Sequence, residues 1–274
     1  MRIRFWGVRG SVPVPGADTV GVGGNTPCVE IAAVSGEVIV LDAGTGIRAL
    51  GLDLQRRVPA VTSIHLLLSH FHWDHLQGLP YFAPLFEAGQ TIRFYTTHDP
   101  DTLQGILAAQ MAAPFYPFPL EAVSSQPAFC LLAREGVQVG QSPHAVRVTP
   151  FPLQHPQGCA GFRIEAGGRV VIYATDFERG EPAFDAVLDA QCAGADVVIA
   201  DAQYTDDELD AHRGWGHSTW RQAAELARRA KAGRLLLFHH DPARTDAEVA
   251  EIEREAREIF PATEAARENL EVRI

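Results

Sequence analysis

Residues 69–75 read Ser69-His70-Phe71-His72-Trp73-Asp74-His75, so three histidines and one aspartate lie within six residues. Imidazole and carboxylate groups are the ordinary ligands of zinc and related metals. In an extended or turning loop, His70 and His72 project to the same side and can bind one ion. Asp74 and His75, at the start of a following helix, can reach a second ion. The stretch therefore predicts a metal site rather than a chance cluster of surface histidines.

This stretch follows one of several short apolar runs that are typical of strands buried on both faces. The runs are 38–41, 64–68, 170–173, 197–199 and 235–238. An acid or a histidine follows each of them, and in chain order these residues are Asp42, His70, Asp176, Asp201 and His239. Because α/β proteins usually place functional residues just past the ends of buried strands, these positions are candidates for a site.

Amphipathic segments between the runs predict helices at 182–192, 217–231 and 247–259. Thr245 and Glu248 form a plausible capping box before the last of them. The order of strands and helices shows no linker of low complexity. It predicts one domain over 1–274, a layered α/β fold with helices on both faces of central sheets.

The stretch 99–152 differs from this pattern, and we treat it as an insertion or a lip of the active site. Its segment 111–119 is rich in aromatic residues, and three prolines in it exclude a continuous helix or a central strand. Two interpretations of 111–119 stay open. It is either a rigid surface connection packed on the core or a functional element, an active-site lip or the contact of a homodimer.

Composition limits the partners of the chain. Its 274 residues are 46% hydrophobic, which is enough for a buried core. The net charge of −11 disfavours long nucleic acids but leaves small anionic substrates open. With no apolar run of bilayer length and no export signal, we expect a cytoplasmic protein whose four scattered cysteines are reduced.

The pattern H-x-H-x-D-H of residues 70–75 resembles the signature of the metallo-β-lactamase superfamily, and the resemblance extends over most of the chain. It implies a four-layer αββα sandwich and two divalent ions, zinc or manganese, with iron open. It also implies that Asp42 supports the metal loop and that Asp201 lies behind the ligands. The implied ligands are His70, His72 and His155 for one ion, Asp74, His75 and His239 for the other, and Asp176 between them.

Several of these residues have structural alternatives. Asp42 could cap a turn, and Asp176 could cap the helix near 182. His240 competes with its neighbour His239, since a slip of one residue would exchange them, and His240 would otherwise face the substrate. The isolated residues His65, His98, His144 and His212 are interpreted as structural.

The element Gly214-Trp215-Gly216-His217-Ser218-Thr219 resembles the phosphodiesterase branch of the superfamily, which includes tRNA 3′-processing nucleases and phosphoribosyl cyclic phosphodiesterases. The resemblance implies that His217 contacts phosphate or protonates the leaving oxygen, although 217–219 could also be a plain helix cap. Asp176, where lactamases commonly have cysteine, argues against antibiotic hydrolysis. Arg9, in a glycine-rich amino-terminal run, is a further candidate for phosphate binding.

These observations predict a metal-dependent phosphodiesterase that acts on a small phosphodiester, linear or cyclic, with Asp74 and His217 as catalytic residues and a water activated between the ions. A thioester or lactone hydrolase on the same site is an alternative. So are a tRNA 3′-processing endonuclease and a non-enzymatic metal-bound sensor or scaffold. The chain lacks the long glycine-rich arm of the tRNA nucleases, and it has only Cys28 near its amino terminus where the cyclic phosphodiesterases have a cysteine-rich zinc site.

Overall fold

A computed structural model describes residues 1–32 and 37–274. Within this part of the chain, fourteen strands form two seven-stranded sheets. The first sheet contains, in spatial order, β14 (Glu271–Arg273), β1 (Arg2–Gly7), β2 (Cys28–Ala32), β3 (Val38–Leu41), β4 (Ser63–Leu67), β5 (Thr91–Thr96) and β6 (Gln126–Leu131). The second contains β13 (Thr263–Ala265), β12 (Leu235–Phe238), β11 (Val197–Asp201), β10 (Arg169–Ala174), β9 (Cys159–Ala166), β8 (Val146–Leu153) and β7 (Val137–Val139).

The two sheets pack face to face across an apolar layer to which both contribute. Phe5 and Ile39 of the first sheet and Phe162, Tyr173 and Phe238 of the second belong to this layer. Strands such as β3 and β11 are buried along their whole length, which explains their uninterrupted apolar sequence.

Helices cover the outer face of each sheet. Helices α1 (Ile47–Leu54) and α2 (Pro100–Gln110) pack on the first sheet. Helices α3 (Pro182–Cys192), α5 (Trp220–Ala230) and α6 (Asp246–Ile259) pack on the second, and α4 (Asp206–Leu209) is a single turn. The order helix, sheet, sheet, helix is the predicted αββα sandwich, and the prediction of the fold is confirmed.

The predicted elements lie close to where the structure places them. Each of the five apolar runs lies within, or within one residue of, an observed strand, and the helix 182–192 has the predicted bounds. The helix expected from residue 217 begins at Trp220, because Thr219 is its N-cap and accepts a hydrogen bond from the backbone N–H of Gln222. The capping box of Thr245 and Glu248 is present as expected.

The stretch 99–152 differs from the expected insertion. It supplies helix α2, the edge strand β6 of the first sheet, and β7 and most of β8 in the second. Strand β8 cannot be recognised as a strand from the sequence because it contains Pro150 and Pro152. Both prolines lie beyond the part of β8 that β7 pairs with, where β8 is an edge strand, so their missing N–H groups cost no ladder hydrogen bond there.

Several strands end at one side of the sandwich. β3 and β4 are parallel in the first sheet, as are β10, β11 and β12 in the second. Asp42 and His239 come directly after β3 and β12, and Asp176 lies two residues after the end of β10. Their φ values are 59°, 58° and 54°. Left-handed backbone is strained for residues other than glycine and concentrates at functional sites. Among the described residues, no helix is both long and apolar enough to cross a bilayer, and all four cysteines are free.

Candidate metal centre

One donor set consists of the side chains of His70, His72 and His155. Nδ1 of His72 and Nε2 of His155 are 3.0 Å apart. Oδ1 of Asp176 lies 3.9 Å from Nε2 of His70 and 3.9 Å from Nε2 of His155. Three ring nitrogens and one carboxylate oxygen therefore surround a common point.

A second donor set lies beside the first and uses the other oxygen of the same aspartate. Oδ2 of Asp176 is 3.3 Å from Nε2 of His75 and 3.4 Å from Nε2 of His239. Oδ2 of Asp74 is 3.4 Å and 3.2 Å from the same two nitrogens. Asp176 thus faces both sets, one oxygen to each, as the resemblance implies for a bridging residue.

These distances fit a metal ion. Ligand atoms about 2.0–2.1 Å from a tetrahedral zinc ion lie about 3.3–3.4 Å from one another, which matches the second set. Nε2 of His70 and Nε2 of His75 are buried without a hydrogen-bond partner in the described part of the chain, and a buried polar atom without a partner is costly. One cation in each donor set would satisfy these atoms.

The charge states of His70 and Asp176 also suit a cation. Burial, followed by the neighbouring His75 ring, holds the pKa of His70 well below its usual value, so the ring is neutral. Burial opposes ionisation of Asp176, but the His239 and His75 rings outweigh it and hold the pKa of that carboxyl well below its usual value. Neutral imidazole and ionised carboxylate are the forms that bind metals.

The ring nitrogens that face away from the cluster donate to fixed acceptors. Nδ1 of His155 donates to the carbonyl of Gly216 at 2.8 Å, and Nδ1 of His239 donates to Oε1 of Gln203 at 2.9 Å. Nε2 of His72 donates to Oε1 of Gln157 at 2.7 Å. Such partners fix the tautomer, so the nitrogen that faces the cluster carries no proton.

Asp42 holds the loop of residues 69–75 through hydrogen bonds to Ser69 and His75. It is fully buried. Its Oδ1 accepts from the backbone N–H of Ser69 at 2.8 Å, and its Oδ2 accepts from Nδ1 of His75 at 2.8 Å. The same Oδ2 accepts from Ser69 Oγ at 2.9 Å and from the hydroxyl of Tyr173 at 2.7 Å. The carboxylate therefore orients His75 and ties the loop to both sheets.

The amino-terminal loop closes one side of the second donor set. The backbone N–H of Ser11 donates to Oδ2 of Asp74 at 2.7 Å. A Cβ atom on Gly10 would lie only 2.4 Å from Cε1 of His239 and 2.8 Å from Oε1 of Gln203. The glycine is required because the backbone approaches the His239 ring so closely.

Replacing Gly10 by alanine should therefore push the His239 ring out of position. We expect zinc to bind the second donor set about 10–100-fold more weakly, the usual effect of disturbing the support of a ligand. Competition with a chromophoric chelator measures this affinity. Gly105→Ala is the control, since a Cβ there meets nothing within 4 Å. Unchanged affinity in Gly10→Ala would show that the amino-terminal loop moves and the His239 ring keeps its position.

His217 lies at the edge of the cluster with Asp201 behind it. Nδ1 of His217 donates to Oδ2 of Asp201 at 2.7 Å and is 3.8 Å from Oδ1 of Asp176. Oδ1 of Asp201 accepts from the backbone N–H groups of Gln203 and Ser218. Burial opposes a charged ring, but the Asp201 carboxylate outweighs it and raises the pKa of His217 to about 9. Asp201 thus positions His217 at the start of α5.

Two of the predicted substrate-binding residues, Arg9 and His240, do not face the donor sets. Arg9 is fully buried. Its guanidinium donates to the carbonyls of Gly23, Asp241 and Arg244, so the expectation that it contacts phosphate is wrong. Nε2 of His240 donates to the carbonyl of Ala266 at 2.9 Å, and burial lowers the pKa of His240 to about 3. It is His239 whose ring enters the cluster, and His240 packs away from it.

Sequence reasoning missed residues that support the ligands. Ser11, Gln157 and Gln203 contact them, but single polar residues in loops carry no pattern that could have shown this. The four isolated histidines stand apart from both donor sets. His65 bonds to the Tyr95 hydroxyl, His98 packs on Phe71, His144 is exposed, and His212 stacks on Tyr204.

Comparison with known proteins agrees with this geometry. The family model of the β-lactamase superfamily domain matches residues 37–240. The chain belongs to this superfamily. As a member of the superfamily it is a metal-dependent hydrolase, and its fold implies divalent metal ions. The resemblance predicted from the sequence is confirmed.

Curated relatives of the chain include ribonuclease BN of Escherichia coli (strain K12). It is 29% identical over 250 residues, which cover 73% of this chain and 78% of the relative. Ribonuclease BN of Shigella flexneri has the same identity and coverage.

Several solved structures superpose over nearly the whole chain. The metallo-β-lactamase fold protein YhfI from Bacillus subtilis has a TM-score of 0.71 at 19% identity and covers 99% of each chain. A diphosphatase of the PhnP family superposes with a TM-score of 0.70 at 18% identity, and the match covers 100% of this chain and 97% of the other. The short form of human tRNase Z superposes with a TM-score of 0.67 at 20% identity, and the match covers 100% of this chain and 99% of the other. At these identities the likeness bears on the fold alone.

Proposed function

We propose that the chain is a phosphodiesterase that hydrolyses small phosphodiesters with two divalent metal ions. The observation that carries the proposal is His217, which Asp201 holds beside the bridging position of Asp176. A carboxylic ester or lactone carries no negative charge for such a group to bind. A phosphodiester carries a negative charge, and its leaving oxygen needs a proton, so a histidine at this place serves both needs.

The metal ions would be held by the two donor sets, His70, His72 and His155 on one side and Asp74, His75 and His239 on the other, with Asp176 shared. When bound, the ions lower the pKa of water and neutralise charge on the phosphoryl oxygens. Asp74 would also act on the substrate water. The backbone N–H of Ser11 donates to its Oδ2 and so fixes the position of the carboxylate. From this fixed position the carboxylate orients the attacking water.

His217 would protonate the leaving oxygen. Its Nδ1 is occupied by Asp201, so only Nε2 can meet the substrate. Its position just before α5 adds the N–H groups of the helix amino terminus, which favour an anion. Asp201 acts as a positioning residue, because it fixes the orientation of the ring and does not touch the substrate.

Replacing His217 by alanine should lower kcat for a cyclic nucleotide, whose sugar alkoxide is a strongly basic leaving group, about 100-fold, the usual contribution of a general acid. Bis(p-nitrophenyl) phosphate should lose much less activity, because p-nitrophenolate leaves without a proton. Metal content, measured by elemental analysis, should stay unchanged because His217 belongs to neither proposed donor set. His144→Ala, at an exposed position, is the control and should match the unsubstituted protein. Hydrolysis of thioesters or lactones but of no phosphodiester, with His217→Ala unimpaired, would replace the proposal by the thioester or lactone alternative.

The ribonuclease BN relatives favour a second candidate function, cleavage of RNA. The net charge of −11 opposes tight binding of a long polyanion. Comparing hydrolysis of bis(p-nitrophenyl) phosphate with cleavage of a tRNA precursor at equal enzyme concentration separates the two. A preference for the precursor in kcat/KM would favour the second candidate.

A further inference from the structure

A pocket of about 580 Å³ opens beside the metal loop. Its volume is within the range of small-molecule sites, about 300–1,000 Å³. The rim includes Trp73, which stands between the ligands His72 and Asp74 in the chain. The residues that matter for its chemistry are Trp73, Gln77, Tyr81, Gln110, Phe115 and Tyr116.

Aromatic rings form most of the lining and are available to a ligand. Trp73 is 62% exposed and Phe115 is 80% exposed. The rings of Tyr81 and Tyr116 meet edge to face at 5.6 Å, and the Tyr116 hydroxyl donates to the carbonyl of Pro80 at 2.6 Å. That bond fixes the segment 111–119 to the loop after the metal ligands. Rings held in this way offer flat surfaces on which another planar group can stack.

A buried amide lines the same pocket. Gln110, the last residue of α2, is only 8% exposed. Neither its Nε2 nor its Oε1 has a hydrogen-bond partner in the part of the chain that the structure describes. Leaving such a group unsatisfied is costly. Both atoms are shielded from solvent in the present side-chain position. If the side chain turned into the pocket, a ligand that offers one acceptor and one donor on the same edge would satisfy both atoms at once.

We propose that this pocket binds the base of a nucleotide-derived phosphodiester. The base stacks on the exposed rings, and the Gln110 amide pairs with a donor and an acceptor on its edge, as glutamine pairs with adenine in nucleic-acid recognition. This inference rests on the proposed phosphodiesterase function and adds the substrate class to it. Trp73 lies between the proposed ligands His72 and Asp74 in the chain, so a base stacked on its ring would lie beside the metal centre.

A nucleobase fits the lining better than a second copy of this chain. An apolar protein contact would bury the rings but would leave both atoms of the Gln110 amide without partners. The heterocycle supplies flat apolar faces and a polar edge together. The segment 111–119 then acts as a wall of the substrate pocket, one of the two interpretations that the sequence leaves open.

The test compares binding of adenosine 5′-monophosphate with binding of ribose 5-phosphate, which carries the same phosphate and no base. Isothermal titration calorimetry on the full chain in zinc-containing buffer gives both affinities. We expect the nucleotide to bind at least about tenfold more tightly, from stacking of one base. Phe115→Ala, at an exposed position, and Gln110→Leu should each reduce this preference about fivefold or more.

Phe118→Ala is the matched control, since Phe118 is an exposed aromatic residue of the same segment that does not line the pocket. It should keep the preference. Equal binding of the two ligands, or equal losses in Phe115→Ala and Phe118→Ala with dissociation of a dimer, would overturn the base pocket. Hydrolysis of bis(p-nitrophenyl) phosphate is measured separately, so a protein that cleaves it without preferring the nucleotide refutes this inference alone. A protein that prefers the nucleotide but hydrolyses no phosphodiester refutes the phosphodiesterase function.

Discussion

Replacing Asp176 by asparagine should lower kcat/KM for bis(p-nitrophenyl) phosphate by about 1,000-fold, because it removes the one charge that both donor sets share. Oδ1 and Oδ2 of Asp176 face different sets. An amide nitrogen at either position would point a donor at a cation. The metal content, measured by elemental analysis after dialysis, should fall from two ions per chain to one or fewer.

Asparagine is the suitable replacement because it tolerates the left-handed backbone of Asp176 as aspartate does. Asp207→Asn, on the exposed turn α4, is the control for the loss of one negative charge and should retain full activity and metal. If Asp176→Asn kept two ions per chain and its activity, Asp176 would not bridge the sets.

The second large effect is expected at Asp42. Asp42→Asn should destabilise the protein by about 3 kcal/mol, since an amide cannot accept all four hydrogen bonds that the carboxylate accepts and leaves buried donors unsatisfied. In a chain of this size, that corresponds to a fall in Tm of about 6–12 °C. His75 loses its orienting partner, so zinc should also bind about 10–100-fold more weakly. Differential scanning calorimetry with and without zinc measures the stability.

Asp18→Asn, at an exposed position, controls for the change of charge and should leave Tm unchanged within a degree or two. A normal Tm with weakened zinc binding would mean that Asp42 only orients His75. A lowered Tm with normal zinc binding would mean that it only anchors the loop. Normal values of both would contradict the role assigned to Asp42.

The sequence predicts the centre of the site well because its residues follow a local pattern. Four of the seven donors lie between His70 and His75, and Asp176 and His239 follow apolar runs that the structure shows as strands. Both the fold and the convergence of the donors depend on these buried strands, whose carboxyl ends meet on one side. His239 could be preferred to His240 since the strand ends at Phe238.

Other features depend on contacts between distant parts of the chain, which no local pattern records. Arg9 looks like an exposed phosphate ligand in the sequence, yet loops at 23 and 241–244 bury it. The support of His239 by Gly10 and Gln203 joins residues far apart in sequence. Strand β8 escapes prediction because its prolines are tolerated only at an open edge, and the edge exists only once both sheets have formed.

The donors come from both sheets. His70, His72, Asp74 and His75 follow β4 of the first, whereas His155, Asp176 and His239 follow strands of the second. Bound cations would therefore cross-link the amino-terminal and carboxyl-terminal halves of the chain without a covalent bond. Resistance to proteases should rise with occupancy of the centre. A substitution in the apolar layer between the sheets should in turn weaken catalysis from a distance, since sliding one half past the other separates donors of the same ion.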